Sequence, residues 1–342
     1  MVADRFGARP VLLAGGALYA LGIASLACAA TPLQIHLAAG VLAGLGMGGA
    51  SYITVLSALG RAMPEARRSW ALGVAAAAGS LGQFLIVPLV QAVIDLGGWR
   101  HGTWAMAAAV LLMLPAAALV RGDRPAATPS AAEPAAPDSA VGAVVGAALR
   151  HPSYLLLLAG FFVCGFQLAF ITTHFPAYLA DRGLGAGAAA WAIAMVGLFN
   201  VGGAYLAGVL GGRNGKKDLL AGVYFGRALV ILVFLQAPLS GFGVMAFGAA
   251  MGLLWLSTAP LTSGLVATFF GTRHMATLFG LVFFSHQLGS FAGVYFGGRL
   301  FARTGSYDAM WWWCIGLSVA AGLLHMPIRE RTAPAFARRA HG

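Results

Sequence analysis

Ten apolar runs, most of them close to twenty residues long, follow one another along this chain and leave it few media in which to fold. They occupy residues 11–30, 35–59, 70–94, 103–120, 153–178, 187–211, 218–236, 241–264, 275–298 and 308–327. Twenty residues of helix rise about 30 Å, the thickness of a bilayer's hydrocarbon core. A soluble domain is roughly one quarter Lys, Arg, Glu and Asp, whereas only 9% of these 342 residues are charged and 60% are apolar. The surrounding medium is therefore lipid, where every backbone N–H and C=O must be satisfied within the protein. Runs rich in Leu, Ala, Val and Gly do so as helices, since barrel strands would alternate apolar with polar residues. The expectation is an all-α integral membrane protein. Pro88, Pro176 and Pro260 fall inside spans, which is tolerated where neighbours take up the freed carbonyl.

The net charge of +11 forms no stripe that would suit nucleic acid, because the basic residues sit in short loops. With the N-terminus in the cytoplasm, sixteen of the 21 Lys and Arg residues fall on the cytoplasmic side. Arg100, Arg182, Arg299 and Arg303 fall outside, and Arg227 lies within a span. This bias obeys the positive-inside rule and puts both termini in the cytoplasm. Cys28, Cys164 and Cys314 fall singly in separate runs, so they read as small packing residues rather than a disulfide or metal framework. The stretch from Arg5 to Ala29 mimics a signal peptide, but its apolar part is nearly long enough to span.

Residues 121–150 are rich in Pro, Ala and Ser, a linker composition with no core of its own. They divide a four-helix part, 1–120, from a six-helix part, 151–328, with a cytoplasmic tail over 329–342. The two parts resemble each other. Asp4-Arg5-Phe6-Gly7-Ala8-Arg9 precedes the first span, and Gly212-Arg213-Asn214-Gly215-Lys216-Lys217 precedes the seventh at an offset of 208. At nearly the same offset Leu81-Gly82 falls on Leu288-Gly289. Internal duplication with binding near the midplane is common among secondary transporters.

At these residues the chain resembles the major facilitator superfamily, whose loop between its second and third helices carries G-x-L-x-D-R-x-G-R-[RK]. Residues 2–9 match that motif from its third position, and Gly208-Val209-Leu210-Gly211-Gly212-Arg213-Asn214-Gly215-Lys216-Lys217 matches the second copy, with Gly212 in place of the Asp. The resemblance implies a major facilitator-type bundle of about ten helices (4 + 6), in two pseudo-symmetric halves, whose first two helices are missing through a misassigned start or a truncated gene. It implies alternating access, with Asp4, Arg5, Gly7 and Arg9 in one gating loop and Gly208, Arg213, Gly215 and Lys216 in the other. At the second copy any clasp must use partners other than the lost Asp.

Within that superfamily the chain looks most like bacterial members near the monocarboxylate and oxalate/formate carriers, on Gly79-Ser80-Leu81-Gly82-Gln83 with Pro88, Gly98-Trp99-Arg100 and Gly305-Ser306-Tyr307-Asp308. Eukaryotic monocarboxylate carriers place an Asp and an Arg in the eighth helix. Registered on Gly208, those positions hold Asn200 and Ala204 here.

A polar group inside hydrocarbon is a functional candidate by default. None of the ten acidic residues lies mid-span, so a carboxylate proton relay has no seat in this sequence. His286 lies about ten residues into its run, near mid-membrane, and is the candidate for proton coupling, since an ordinary imidazole titrates near neutrality; its alternative is a neutral bridge between helices. Arg227, equally deep, could hold an anion bidentately or serve as an interhelical strut, the reading its place in the family favours. The cavity helices implied by the resemblance offer Tyr52, Gln167 and Trp255, with Gln83, Asn200 and Gln287 adjoining. Most Ser and Thr there should bond their own backbone, and His174, near the outer boundary, reads as a structural or gate residue rather than a proton store. Gly44-Leu45-Gly46-Met47-Gly48-Gly49 is not a dinucleotide loop, since no strand precedes it; it reads as close helix packing.

No cofactor or metal ligand set appears. The expected partners are a small-molecule solute and membrane lipid, not nucleic acid, with the chain a monomer in a bacterial inner membrane. The leading function is secondary active transport of a small organic solute, an organic anion by resemblance, coupled to protons or exchange. The rival is a non-transporting membrane protein or degenerate transporter; an enzyme fares worst, for want of any catalytic constellation.

Overall fold

A computed structural model describes residues 8–50, 54–55, 65–119, 138–271 and 275–333. Within them the chain is helical, and eight helical segments are long and apolar enough to cross a membrane. The expected run 35–59 is helical as far as Gly49 and then largely leaves the described residues. The final helix, Asp308–His325, is 18 residues long, and its Trp311-Trp312-Trp313 lowers its hydropathy. Several helices outrun their apolar cores: Pro152–Asp181 and Met275–Thr304 are 30 residues each. Helix continues beyond the hydrocarbon because its hydrogen bonds are internal at any depth.

The chain divides into two compact units, Met1–Ala135 and Ala136–Gly342. In the first, α1 (Ala8–Ala27) is followed by α2 (Pro32–Ile35), a wider π-helical stretch (His36–Ala43) and α3 (Gly44–Gly49). Thr31 caps α2, its hydroxyl accepting from the Gln34 N–H while Gln34 Oε1 accepts from the Thr31 N–H. The glycine run reads as expected: a Cβ on Gly46 would strike the Tyr19 backbone, so α3 lies directly against α1. Next come α4 (Glu65–Gly97), α5 (Trp99–Leu111) and α6 (Met113–Leu119). Helix α4 continues through Pro88. A Cβ on Gly79 or Gly82 would meet no atom of the described residues within 4 Å.

The second unit begins inside the stretch expected to be a linker with no core of its own. Residues 138–148 form α7 (Asp138–Ala148), and its Val144 and Ala148 are buried in the second unit's core. Past Pro137 the sequence is Ala, Val and Gly with no further proline, so the linker composition applies only to its first half. Then follow α8 (Pro152–Asp181), α9 (Ala186–Gly211), α10 (Lys216–Gln236), α11 (Gly241–Trp255), α12 (Thr258–Phe270), α13 (Met275–Thr304) and α14 (Asp308–His325). Helix α8 packs most closely on α13, α9 on α11, and α10 on α14. Trp311 is enclosed by Phe170, Phe175, Tyr178 and Phe247 at 5.1–6.0 Å between ring centres. Leu229, Val233, Phe284 and Phe291 stand exposed on outward faces, as lipid contact requires.

Candidate functional site

The eighth apolar run, read as one span, is two helices. Helix α11 stops at Trp255, α12 starts at Thr258, and Leu256 and Ser257 lie between them. Two residues into α12, Pro260 has no N–H to give, and its ring crowds the carbonyl four residues back. Several of the backbone groups at the break have partners from outside the helix ladder. The Leu253 carbonyl accepts the Ser257 hydroxyl at 2.6 Å, and the Leu256 carbonyl accepts the Ala259 N–H at 3.0 Å. Leu254 O accepts from Arg227 Nε at 3.2 Å and Nη2 at 2.7 Å, and the Trp255 carbonyl accepts from the same Nη2. On the amide side, the Leu256 N–H donates to Asn200 Oδ1 at 2.9 Å. Asn200 reaches it because Gly203 lets α9 lie on the α11 backbone: a Cβ there would overlap the Leu253 carbonyl.

Arg227 is fully buried. Its Nη1 donates to Gln167 Oε1 at 3.5 Å, and its guanidinium lies 5.4 Å from the centre of the Tyr224 ring. Among the described residues no carboxylate pairs with it. Gln167, also fully buried, donates from Nε2 to the Cys314 carbonyl at 2.8 Å and to the Ser318 hydroxyl. Its amide therefore joins α8, α10 and α14 by hydrogen bonds. Tyr224 continues the network, its hydroxyl donating to the Gly160 carbonyl at 2.7 Å while its ring stacks on His325 at 5.0 Å.

Thr258 Oγ1, at the start of α12, lies 3.4 Å from Cys164 Sγ on α8. His286 Nδ1 is 3.3 Å from Gln287 Oε1, and its ring lies against Phe161 at 5.0 Å and Phe283 at 5.5 Å. Cys164 is the member that sequence reading takes as mere packing. The signal for it is spacing: Cys164 and Gln167, three residues apart, share a helix face.

The structure thus brings together Gln167, Asn200, Trp255 and Arg227, while His286 and Gln287 meet each other on α13. Gln83 is half-buried in the other unit, and Tyr52 lies outside the described residues. His174 has both ring nitrogens engaged, with the Tyr307 hydroxyl at 3.3 Å and the Val294 carbonyl at 3.0 Å. Thr172 bonds its own backbone at Leu168 O, 2.8 Å away.

Of the two basic loops, Asp4, Arg5 and Gly7 lie outside the described residues, and Arg9 is exposed at the start of α1. In the second loop Gly208 and Arg213 are exposed, while the Lys216 stem lies along Gly264. Gly215 occupies the N-cap of α10 without a side chain to cap it. The cap comes from the far end of the chain. Glu330 Oε1 accepts the Lys217 N–H at 2.7 Å, and Lys217 Nζ donates to the Met326 carbonyl at 3.0 Å. The same tail segment donates from the Arg329 N–H to the Ser153 hydroxyl at 3.1 Å and from the Ala333 N–H to Phe269 O at 2.8 Å. It ties the ends of α8, α10 and α12 together.

The chain is similar to known proteins in sequence and in fold. The family model described as Major Facilitator Superfamily matches residues 1–294. Mouse monocarboxylate transporter 11 is 27% identical over 334 residues, covering 95% of this chain and 73% of its own length. Human monocarboxylate transporter 11 is 29% identical over 317 residues, covering 90% of this chain and 66% of that protein. Among solved structures, the inward-open xylose transporter XylE of E. coli superposes with a TM-score of 0.66 at 16% identity, covering 95% of this chain and 80% of that one, a likeness of fold alone. An all-helical membrane bundle, an interrupted helix stitched by buried polar groups and a family match over most of the length meet in one conclusion: the chain belongs to the Major Facilitator Superfamily, as a multi-pass membrane protein of the secondary-transport type, related to the monocarboxylate carriers and not to enzymes.

Proposed function

We propose that this protein moves a small organic anion by alternating access, with the solute held near mid-membrane. The observation that carries the reading is Arg227, a buried cation that no carboxylate among the described residues neutralises. In a low-dielectric interior such a charge acts over a longer range than in water, and an anion is the solute it favours. The monocarboxylate carriers among its relatives support the same class. Transport runs on a proton gradient or by exchange, with His286 taking up the proton. The protein works as a monomer in a bacterial inner membrane with both termini in the cytoplasm, the orientation its basic loops favour.

The test is uptake by purified protein in proteoliposomes, using labelled L-lactate and oxalate as probes and uncharged D-xylose as control. The expected result is accumulation of at least one anion above empty vesicles, enhanced when the outside is acidified, with no xylose uptake. Absence of uptake for both anions, with correctly inserted protein and either imposed gradient, rejects this reading in favour of a non-transporting membrane protein.

A further inference from the structure

The guanidinium of Arg227 is placed where a solute ligand would be sought, but most of its donors are already taken. Nε and Nη2 close the Leu254 and Trp255 carbonyls and Nη1 faces Gln167. Gripping a carboxylate with the same fork would release the end of α11. Most of the donors are used by the protein and the charge is not. A fully buried guanidinium with four of its five N–H groups engaged and no carboxylate partner among the described residues still projects its positive potential. It sits against the carbonyl end of α11, which holds it favourably, while the positive end of α12 begins three residues beyond Trp255. The start of α12 carries Ser257 and Thr258, and Thr258 meets the Cys164 thiol at 3.4 Å.

We infer that Arg227 is a positioning residue for transport: it holds the α11–α12 interruption in place by capping its carbonyls, and its charge sets the preference for anions, without touching the solute. The charge half of this inference rests on the organic-anion reading above; the capping half does not.

Three variants of the full chain separate geometry from charge. Arg227→Gln can still donate to a carbonyl but is neutral, Arg227→Lys keeps the charge but not the fork, and Arg227→Met keeps neither. The first measurement is hydrogen–deuterium exchange of peptides spanning 253–262 in detergent micelles. Exchange there is expected to rise about tenfold in Arg227→Met relative to wild type, as a lost charge-assisted bond implies, and less in the other two. Unchanged exchange in all three overturns the capping role. Should Arg227→Met fail to reach the membrane, the Lys and Gln variants decide.

The second measurement compares uptake of L-lactate with that of neutral lactamide in proteoliposomes. Arg227→Lys is expected to keep the lactate preference with a lower maximal rate, and Arg227→Gln to lose about tenfold of that preference. A wild-type preference in Arg227→Gln overturns the charge role. A raised KM for lactate alone, with exchange over 253–262 unaltered, makes Arg227 a direct ligand and overturns the inference. If wild-type protein transports neither probe, the organic-anion reading and the charge role fall together while the exchange data still decide the capping role.

Discussion

Glu330 Oε1 accepts the Lys217 backbone N–H at 2.7 Å across 113 residues of sequence, so the tail caps a helix whose own N-cap, Gly215, has no side chain. The second basic loop lacks the Asp of its motif, and the structure supplies another carboxylate. A cap is worth about 1 kcal/mol, and a negative charge at a helix N-terminus adds roughly 0.3–1 kcal/mol.

Glu330→Ala should therefore lower the melting temperature in detergent by about 2–4 °C, and Glu330→Gln, which keeps an acceptor oxygen, by less. Differential scanning fluorimetry reads this directly. Equal melting of all three proteins would show that the contact adds no stability.

Asn200 closes the amide side of the helix interruption. Replacing it with Ala leaves the Leu256 N–H without that acceptor in an apolar interior, at a cost of about 1–3 kcal/mol. Asn200→Asp restores the oxygen and matches the residue that the resemblance places there in the eukaryotic carriers. The Ala variant should melt several degrees below wild type, and the Asp variant within a degree or two of it, roughly. An Ala variant as stable as wild type would mean water or another group replaces the amide without penalty.

His286→Gln retains hydrogen-bonding groups but cannot take up a proton. Lactate uptake driven by an acid outside should fall to the level seen without a gradient, while lactate–lactate exchange persists. If acid stimulation survives in full, His286 is a structural bridge and coupling resides elsewhere.

His151, at the start of α8, lies against Phe269 at 5.3 Å and Phe270 at 5.7 Å, with Nδ1 buried and unpartnered. Burial holds its pKa below the ordinary 6.5. The unfolded chain then binds the proton first, so folded stability falls as the pH drops through 6.5 and levels off below the folded value. Wild type should lose more melting temperature between pH 7.5 and 5.5 than His151→Phe. Parallel curves would remove His151 as a source of acid sensitivity.

Much of the fold was legible because lipid imposes a single rule on backbone polar groups, and apolar run length reports it. The ends were not, since helices such as α8 and α13 continue past the hydrocarbon where composition turns ordinary. The fine structure of the eighth run was hidden for a related reason: hydropathy averages over Leu256-Ser257 and does not register that Pro260 ends a helix once outside groups take over its carbonyls. Arg227, Asn200 and Gln167 were visible one by one as polar residues in apolar runs. Their convergence was not, because it depends on which helices α9 and α10 pack against, and a single sequence carries no record of that. Glu330 was invisible as a cap because its partner is 113 residues away.

The tail's three attachments also decide where this chain can be altered. Residues through Ala333 belong to the folded body, because Arg329, Glu330 and Ala333 each hold a different helix end. A purification tag or fluorescent reporter joined beyond that point leaves these bonds intact. One spliced in before Arg329 would detach three helices at once.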